Sequence, residues 1–347
     1  MVVRQDIKGW RPANMAYRLK HGESIPEGIR RIVHEETDSA IGELSHGTGK
    51  QRDAGIHEAR KSVKKIRGLL RLVRPELGRL YRAENKRLRD VGRKLSEIRD
   101  ATAIIEVFDG LIGKHKDGLQ KNALAAIRKG LETRKREMEQ HAGVGETVER
   151  ATAALRSIQK RVDGWPLKKD GFQALAQGLE ERYRGGRRAM AAAQKNGTPE
   201  NYHEWRKRVK DHWYHVRLLE SLWTEVMQAH ERSLHDLETW LGDDHNLVVL
   251  CATLQEEPAR YGDEKAVQLF LTLAAKEQEE LREKAVSLGE RVYEHKARRF
   301  VQDTENLWDT WQQEPDSMKQ EEKEQRQTPK KQPARAGSAK PKKAGAA

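Results

Sequence analysis

A basic, histidine-led segment occurs twice in this chain at a constant offset of 146 residues, as IHEARKSVKKIRGLLRLV from Ile56 to Val73 and as YHEWRKRVKDHWYHVRLL from Tyr202 to Leu219. His57 aligns with His203, Arg60 with Arg206, Lys61 with Lys207, Val63 with Val209, Lys64 with Lys210 and Arg71 with Arg217. The register continues without a gap through Leu88 and Leu234, Asp90 and Asp236, and Leu95 and Leu241, as far as Ile104 and Leu250. One offset held over this length marks the duplication of a single structural unit. Cations recur along with leucines, so the duplicated feature is a charged surface and not only a packing pattern.

At about 100° per residue, His57, Arg60, Lys61, Lys64, Arg67 and Arg71 fall within roughly 120° of one another on a helix. Ile56, Ala59, Val63, Ile66, Leu70 and Val73 take the opposite side. The second copy divides in the same way, with His203, Arg206, Lys207, Lys210 and Arg217 set against Tyr202, Trp205, Val209, Val216 and Leu219. The first cationic stripe is about 21 Å long at roughly 1.5 Å of rise per residue. Like charges at i,i+3 and i,i+4 repel. A stripe with few acids on its own face is therefore expected to meet an anion.

Charged residues make up 35% of the chain and aromatics only 5%, a balance that suits long amphipathic helices. The helical pattern runs nearly throughout, without a strand ladder. Ser24 with Pro26 and Glu27 reads as a helix start, and Asn196-Gly-Thr-Pro199 reads as a turn that caps the second basic helix. GWPLKKDG, from Gly164 to Gly171, is the expected boundary between the halves. The chain is thus expected to be all-α: two packed helical bundles from an internal duplication, related by a pseudo-twofold axis, with long antiparallel helices. Residues 1–19 form a lead-in, 20–312 the helical domain (halves 20–164 and 170–312), and 313–347 a disordered basic tail. The net charge is +13, and seven of the Lys and Arg residues lie after Gln325 with no acid among them. Such a tail cannot bury a core and reads as an electrostatic arm.

Two histidine-led motifs in order, His57-Arg60-Lys64 and His203-Arg206-Lys210, resemble those of the CHAD domain, the conserved histidine α-helical domain. The segments AYRLKHGESIPEGIRRI and YRGGRRAM and the pair Arg99-Asp100 resemble it too, and the likeness covers about residues 20–312. Two departures stand in the second copy: Trp213 at the place of Arg67, and His245-Asn246 at that of Arg99-Asp100. The resemblance implies two similar four-helix bundles whose basic helices line a central cavity or groove that binds inorganic polyphosphate. It also implies association with polyphosphate granules and the proteins found there.

The residues fit that chemistry on their own terms. A linear phosphate chain presents evenly spaced charge with no base to read, which calls for a row of donors in a concavity. Arginine contributes bidentate contacts to phosphate oxygens and lysine an adaptable point charge. The expected contacts are His57, Arg60, Lys61, Lys64, Arg67 and Arg71 from the first copy, and His203, Arg206, Lys207, Lys210 and Arg217 from the second. Arg99, Arg187 and Arg188 join them, with Arg30, Arg31 and Arg184 as outlying candidates. No phosphate-binding GxxxxGK[ST] loop, HExxH or GxSxG is present. The expectation is a non-catalytic binder with no cofactor and no metal, the spacing of His212 with His215 and the Asp243-Asp244-His245 run being of a kind that arises by chance. Cys251 lies alone in an apolar run, as an inert thiol. With no signal-peptide pattern and no membrane-length apolar stretch, the expected location is cytoplasmic, at granules. The rival expectation is nonspecific nucleic-acid binding through the basic helices and the Lys/Arg tail.

Overall fold

The computed structural model describes residues 17–45, 49–115, 121–141 and 143–314. Among these residues the ordered elements are eleven α-helices and two short 3₁₀ turns, with no strand. The first half contains α1 (Ile25–Leu44), α2 (Lys50–Leu72), the single-turn α3 (Arg74–Leu77), α4 (Arg79–Lys114), α5 (Lys121–His141) and α6 (Val144–Val162). The second contains α7 (Gln173–Lys195), α8 (Pro199–Leu218), α9 (Thr224–Glu256), α10 (Glu264–Val292) and α11 (Ala297–Gln313). Under the 146-residue offset α1 falls on α7, α2 on α8, α4 on α9, α5 on α10 and α6 on α11. Even the single turn α3 has its counterpart, in the 3₁₀ turn Glu220–Leu222.

Local chemistry explains the helix starts. The Ser24 side chain accepts from Glu27 N while Glu27 reaches back to Ser24 N, a capping box with Pro26 in the first turn. Thr198 caps α8 through the Asn201 amide, with Pro199 as its first residue. Asp170, in the segment between the halves, accepts from Ile25 N at 2.7 Å. That segment is packed and not a loose linker, since Trp165 and Leu167 are buried. The described end of the lead-in is likewise engaged, residues 1–16 lying outside the described residues: Tyr17 and Leu19 are buried, and Leu19 N donates to Leu218 O at 3.0 Å. The compact unit therefore takes in residues that a boundary at 20 leaves outside.

In the first half α1, α2, α4 and α6 close a ring of helix contacts, while α7, α8, α9 and α10 pack in succession in the second. The halves do not, however, each own a core. One hydrophobic cluster joins Ile29, Val63, Leu70 and Leu155 of the first half to Leu179, Trp205, Val209 and Leu237 of the second. A second cluster gathers the distal ends of α4 and α9 with α5 and α10, around the stacked rings of Phe108 and Phe270. The apolar stripes of α2 and α8 are thus shared between the two expected bundles. Trp205 is fully buried beside Tyr202 and Gly289 of the second half, and truncating it to Ala would cost about 3–5 kcal/mol.

Equivalent helices touch one another: α2 on α8, α4 on α9 and α5 on α10. The α2–α8 contact is a self-contact of the repeat, since a Cβ on Gly68 would meet the Cβ of Tyr214, 146 positions on, at 3.2 Å. The His215 ring nitrogen Nε2 sits 3.0 Å from the Gly68 carbonyl across the same junction. Helix α7 comes against the end of α2 only because residue 178 is glycine; a Cβ there would lie 1.7 Å from the Leu72 carbonyl oxygen. The charges at one buried pair of positions are exchanged between the copies. Lys65 of α2 meets Glu36 of α1 at 2.7 Å, whereas the equivalent positions are Asp211 on α8 and Arg182 on α7.

Candidate functional site

Where α2 and α8 cross, a groove of about 370 Å³ is lined by Lys64, Arg67 and Arg71 from one copy and by Arg206, Lys207, Arg208 and Lys210 from the other. Glu204, Asp211 and Tyr214 complete its wall. The apolar sides of the two helices are buried in the shared core, which fixes their rotation and turns both cationic stripes toward one opening. A larger cavity, about 720 Å³, runs along α10, but Glu279, Glu283 and Glu290 give it the opposite charge.

The electrostatics of the groove are unusual. Burial, reinforced by Lys210, Arg60 and Arg206, pushes the Lys64 ammonium down to about 7. Burial, then Arg71, pushes Arg67 down to about 10. Lys210 is lowered by burial even though it donates to Glu238 at 2.5 Å. Glu238, on α9, also lies 3.3 Å from Arg206. Burial alone would raise its carboxyl, yet Lys210, Arg206 and Lys64 together hold it below the ordinary carboxylate value. Lys64 from one copy and Arg206 and Lys210 from the other thus bear on one acid, which burial shields in part from solvent.

Other acids serve as partners, one of them across the helix junction and the rest within the basic helices themselves. Arg71 bonds Asp211 across the junction at 2.8 Å, Lys61 pairs with Glu58, and Lys207 and Arg208 share Glu204. The face is therefore less bare of acids than the sequence suggests, because Glu238 and Asp211 arrive from other positions in the fold.

Several expected contacts lie elsewhere. Arg217 is buried against Glu231 at 3.0 Å, with its guanidinium over the Trp213 ring, and it does not line the groove. Trp213, at the place of Arg67, spends that position on packing, and the cation four residues later turns inward with it. Arg187 lies near Tyr183, away from the groove, whereas Arg184 and Arg188 line a neighbouring cleft that shares Glu204 and Arg208 with it. Arg30 donates to the Trp165 carbonyl, and Arg31 is held by Glu23 and Glu35. His57 is half-buried on α2, seven residues before Lys64. His203 packs tilted against His245, ring centres 4.0 Å apart, and burial with Lys207 and Arg206 lowers it below the ordinary histidine value. Burial and His203 push His245 down to about 4. The Arg99 side chain and the tail lie outside the described residues. His212 and His215 are in the core and not side by side on a surface. Burial holds the half-buried Cys251 thiol up at about 11.

Arg208 is the residue that the helical wheel misses, since it sits well off the stripe. Its signal is the glycine pair in YRGGRRAM: Arg208 Cδ would lie 3.5 Å from a Cβ on Gly185 of α7. The groove is wider than one helix face because α7 forms part of its shoulder.

An all-α chain built on an internal repeat, with a cationic groove at the meeting of its duplicated helices, is the class that fold and site define. Residues 37–255 match the family model of the CHAD domain, more than half of the chain. The chain belongs to the CHAD domain family. Its fold is similar to a crystal structure of the CHAD domain from the plant Ricinus communis, with a TM-score of 0.61 and 17% identity, covering 80% of this chain and 94% of that one. No curated protein matches the chain. Among the described residues, no helix is long and apolar enough to cross a membrane.

Proposed function

We propose that the groove between α2 and α8 binds inorganic polyphosphate, that the protein does no chemistry on it, and that this binding brings the protein to polyphosphate granules. The observation that carries the reading is the gathering of Lys64 from one copy with Arg206 and Lys210 from the other around a single carboxylate, Glu238, with Lys64 pushed down to about 7. A folded chain holds such a cluster at the expense of stability, and a polyanion seated there restores the missing counter-charge. Arginines flanking lysines on both walls suit a linear chain of phosphates, which needs repeated contacts along its length.

Titration of the full chain with long-chain polyphosphate, beside duplex DNA at the same salt, tests this. A variant with Lys64, Arg67, Lys207 and Lys210 all changed to Gln is expected to lose polyphosphate binding by at least about a hundredfold, two factors of 1.4 kcal/mol. Deleting residues 315–347 is expected to remove most DNA binding and spare polyphosphate binding. DNA binding that survives the deletion, with polyphosphate binding undetectable, would reverse the reading in favour of nucleic acid.

A further inference from the structure

The repeat is broken at one charged position beside the groove. Between the aligned pairs Leu88/Leu234 and Leu95/Leu241, position 238 is glutamate and its counterpart, position 92, is glycine. Glu238 touches Lys210 at 2.5 Å and Arg206 at 3.3 Å, and its charge also bears on Lys64. Gly92 faces Val63 of α2, as position 238 faces the second copy's basic helix, so the first copy has a bare place where the second holds an acid. The carboxylate thus comes from one copy only, bonds that copy's Lys210 and Arg206, and reaches Lys64 of the other through its charge.

We infer that Glu238 is the selectivity residue of the groove: it excludes small phosphates and leaves long polyphosphate chains able to bind. The inference rests on the reading of the groove as a polyphosphate site. A single orthophosphate that binds at Lys64 and Lys210 sits beside a carboxylate that already satisfies Lys210 and Arg206. It meets like-charge repulsion and finds its donors occupied. A chain also gathers contacts from Arg67, Arg71 and Lys207, farther along the groove, so the same penalty is spread over many favourable contacts. Rejection by a placed repulsive group, with the true ligand tolerating it, is a recurrent route to specificity.

The test compares wild type, Glu238→Gln and Gly92→Glu at pH 7, using orthophosphate, pyrophosphate and long-chain polyphosphate as probes. Glu238→Gln is expected to gain orthophosphate and pyrophosphate affinity by at least about tenfold and polyphosphate affinity by only a few-fold. Gly92→Glu, which supplies the missing acid, is expected to weaken all three. In the absence of ligand, Glu238→Gln is expected to melt at a lower temperature than wild type at low salt and to recover as salt is added, because Lys210 and Arg206 lose the counter-charge they share. Equal gains for all three probes, or none, would overturn the inference while leaving the polyphosphate reading intact. Failure of wild type and both variants to bind polyphosphate would overturn that reading, and the inference with it.

Discussion

Lys210 is the strongest of the cations bearing on Lys64, and the two lysines hold equivalent positions 146 residues apart on helices that touch. Duplication followed by self-association of the duplicated helix brings each cationic stripe against its own copy. The repulsion that follows is a property of the fold, and four predictions rest on it or on the packing that enforces it.

Lys64→Gln is expected to make the ligand-free protein more stable, by on the order of 1–3 kcal/mol, since it removes a charge that is both desolvated and repelled. The same change is expected to weaken polyphosphate binding. Thermal melting and a binding titration on one preparation check both signs. A loss of stability would mean that Lys64 has structural contacts worth more than its repulsion.

Polyphosphate binding is expected to take up a proton above neutral pH. Free Lys64 titrates at about 7, facing Lys210, Arg60, Arg206 and Glu238, and bound anions favour its charged form. Affinity should therefore fall as pH rises from 7 to 9, and calorimetry in buffers of different ionisation enthalpy should register the uptake. Lys64→Gln should flatten the fall over that range. His203 and His245, both lowered, stay neutral there and contribute little to it.

Two glycines on the basic unit should respond in opposite directions. Gly68→Leu drives α2 away from Tyr214 and should cost about 1–3 kcal/mol of stability and several-fold in polyphosphate affinity. Gly92→Ala meets Val63 at an ordinary 3.5 Å and should add up to about 1 kcal/mol by helix propensity, without affecting binding. Melting temperatures of the two variants, measured together, check the contrast.

The core histidines should make the protein acid-labile. Burial pushes His215 and His230 down to about 4, and burial with His230 and His215 lowers His212 further below its usual value. Unfolded, they titrate near 6.5, so between about 6.5 and 4 the unfolded chain binds more protons than the folded one. Their contribution is complete above about 6.5 and is lost as pH falls toward 4, by at most about 3 kcal/mol for each histidine so shifted. His212→Phe, placed among Tyr183, Tyr293 and Phe300, should shallow the decline in melting temperature over that window.

Much of this was legible in the residues. The offset at His57 and His203 located both basic helices, and it extends to every long helix of the fold. Ser24 and Thr198 announced their helix starts because capping is a local interaction between neighbours in sequence. The shared core was not legible, since a helical wheel for α2 says which residues are apolar but not that Tyr214 of α8 will cover Gly68. For the same reason Arg217 looked like a groove cation, although its true neighbour, Glu231, comes from another helix. Arg208 was overlooked because α7, not α8, decides that it borders the groove. The Glu238/Gly92 mismatch stands in plain view within the aligned stretch, but its meaning depends on which cations lie across from it.

The claim that both repeats contribute to one polyanion site is tested most directly by the salt dependence of polyphosphate affinity in Arg67→Gln, Lys207→Gln and the double variant. Each single change should weaken binding and reduce the slope of log K against log salt by roughly 0.7–0.9, and the double by about twice that. A slope that responds to one repeat only, or to neither, would contradict a shared site.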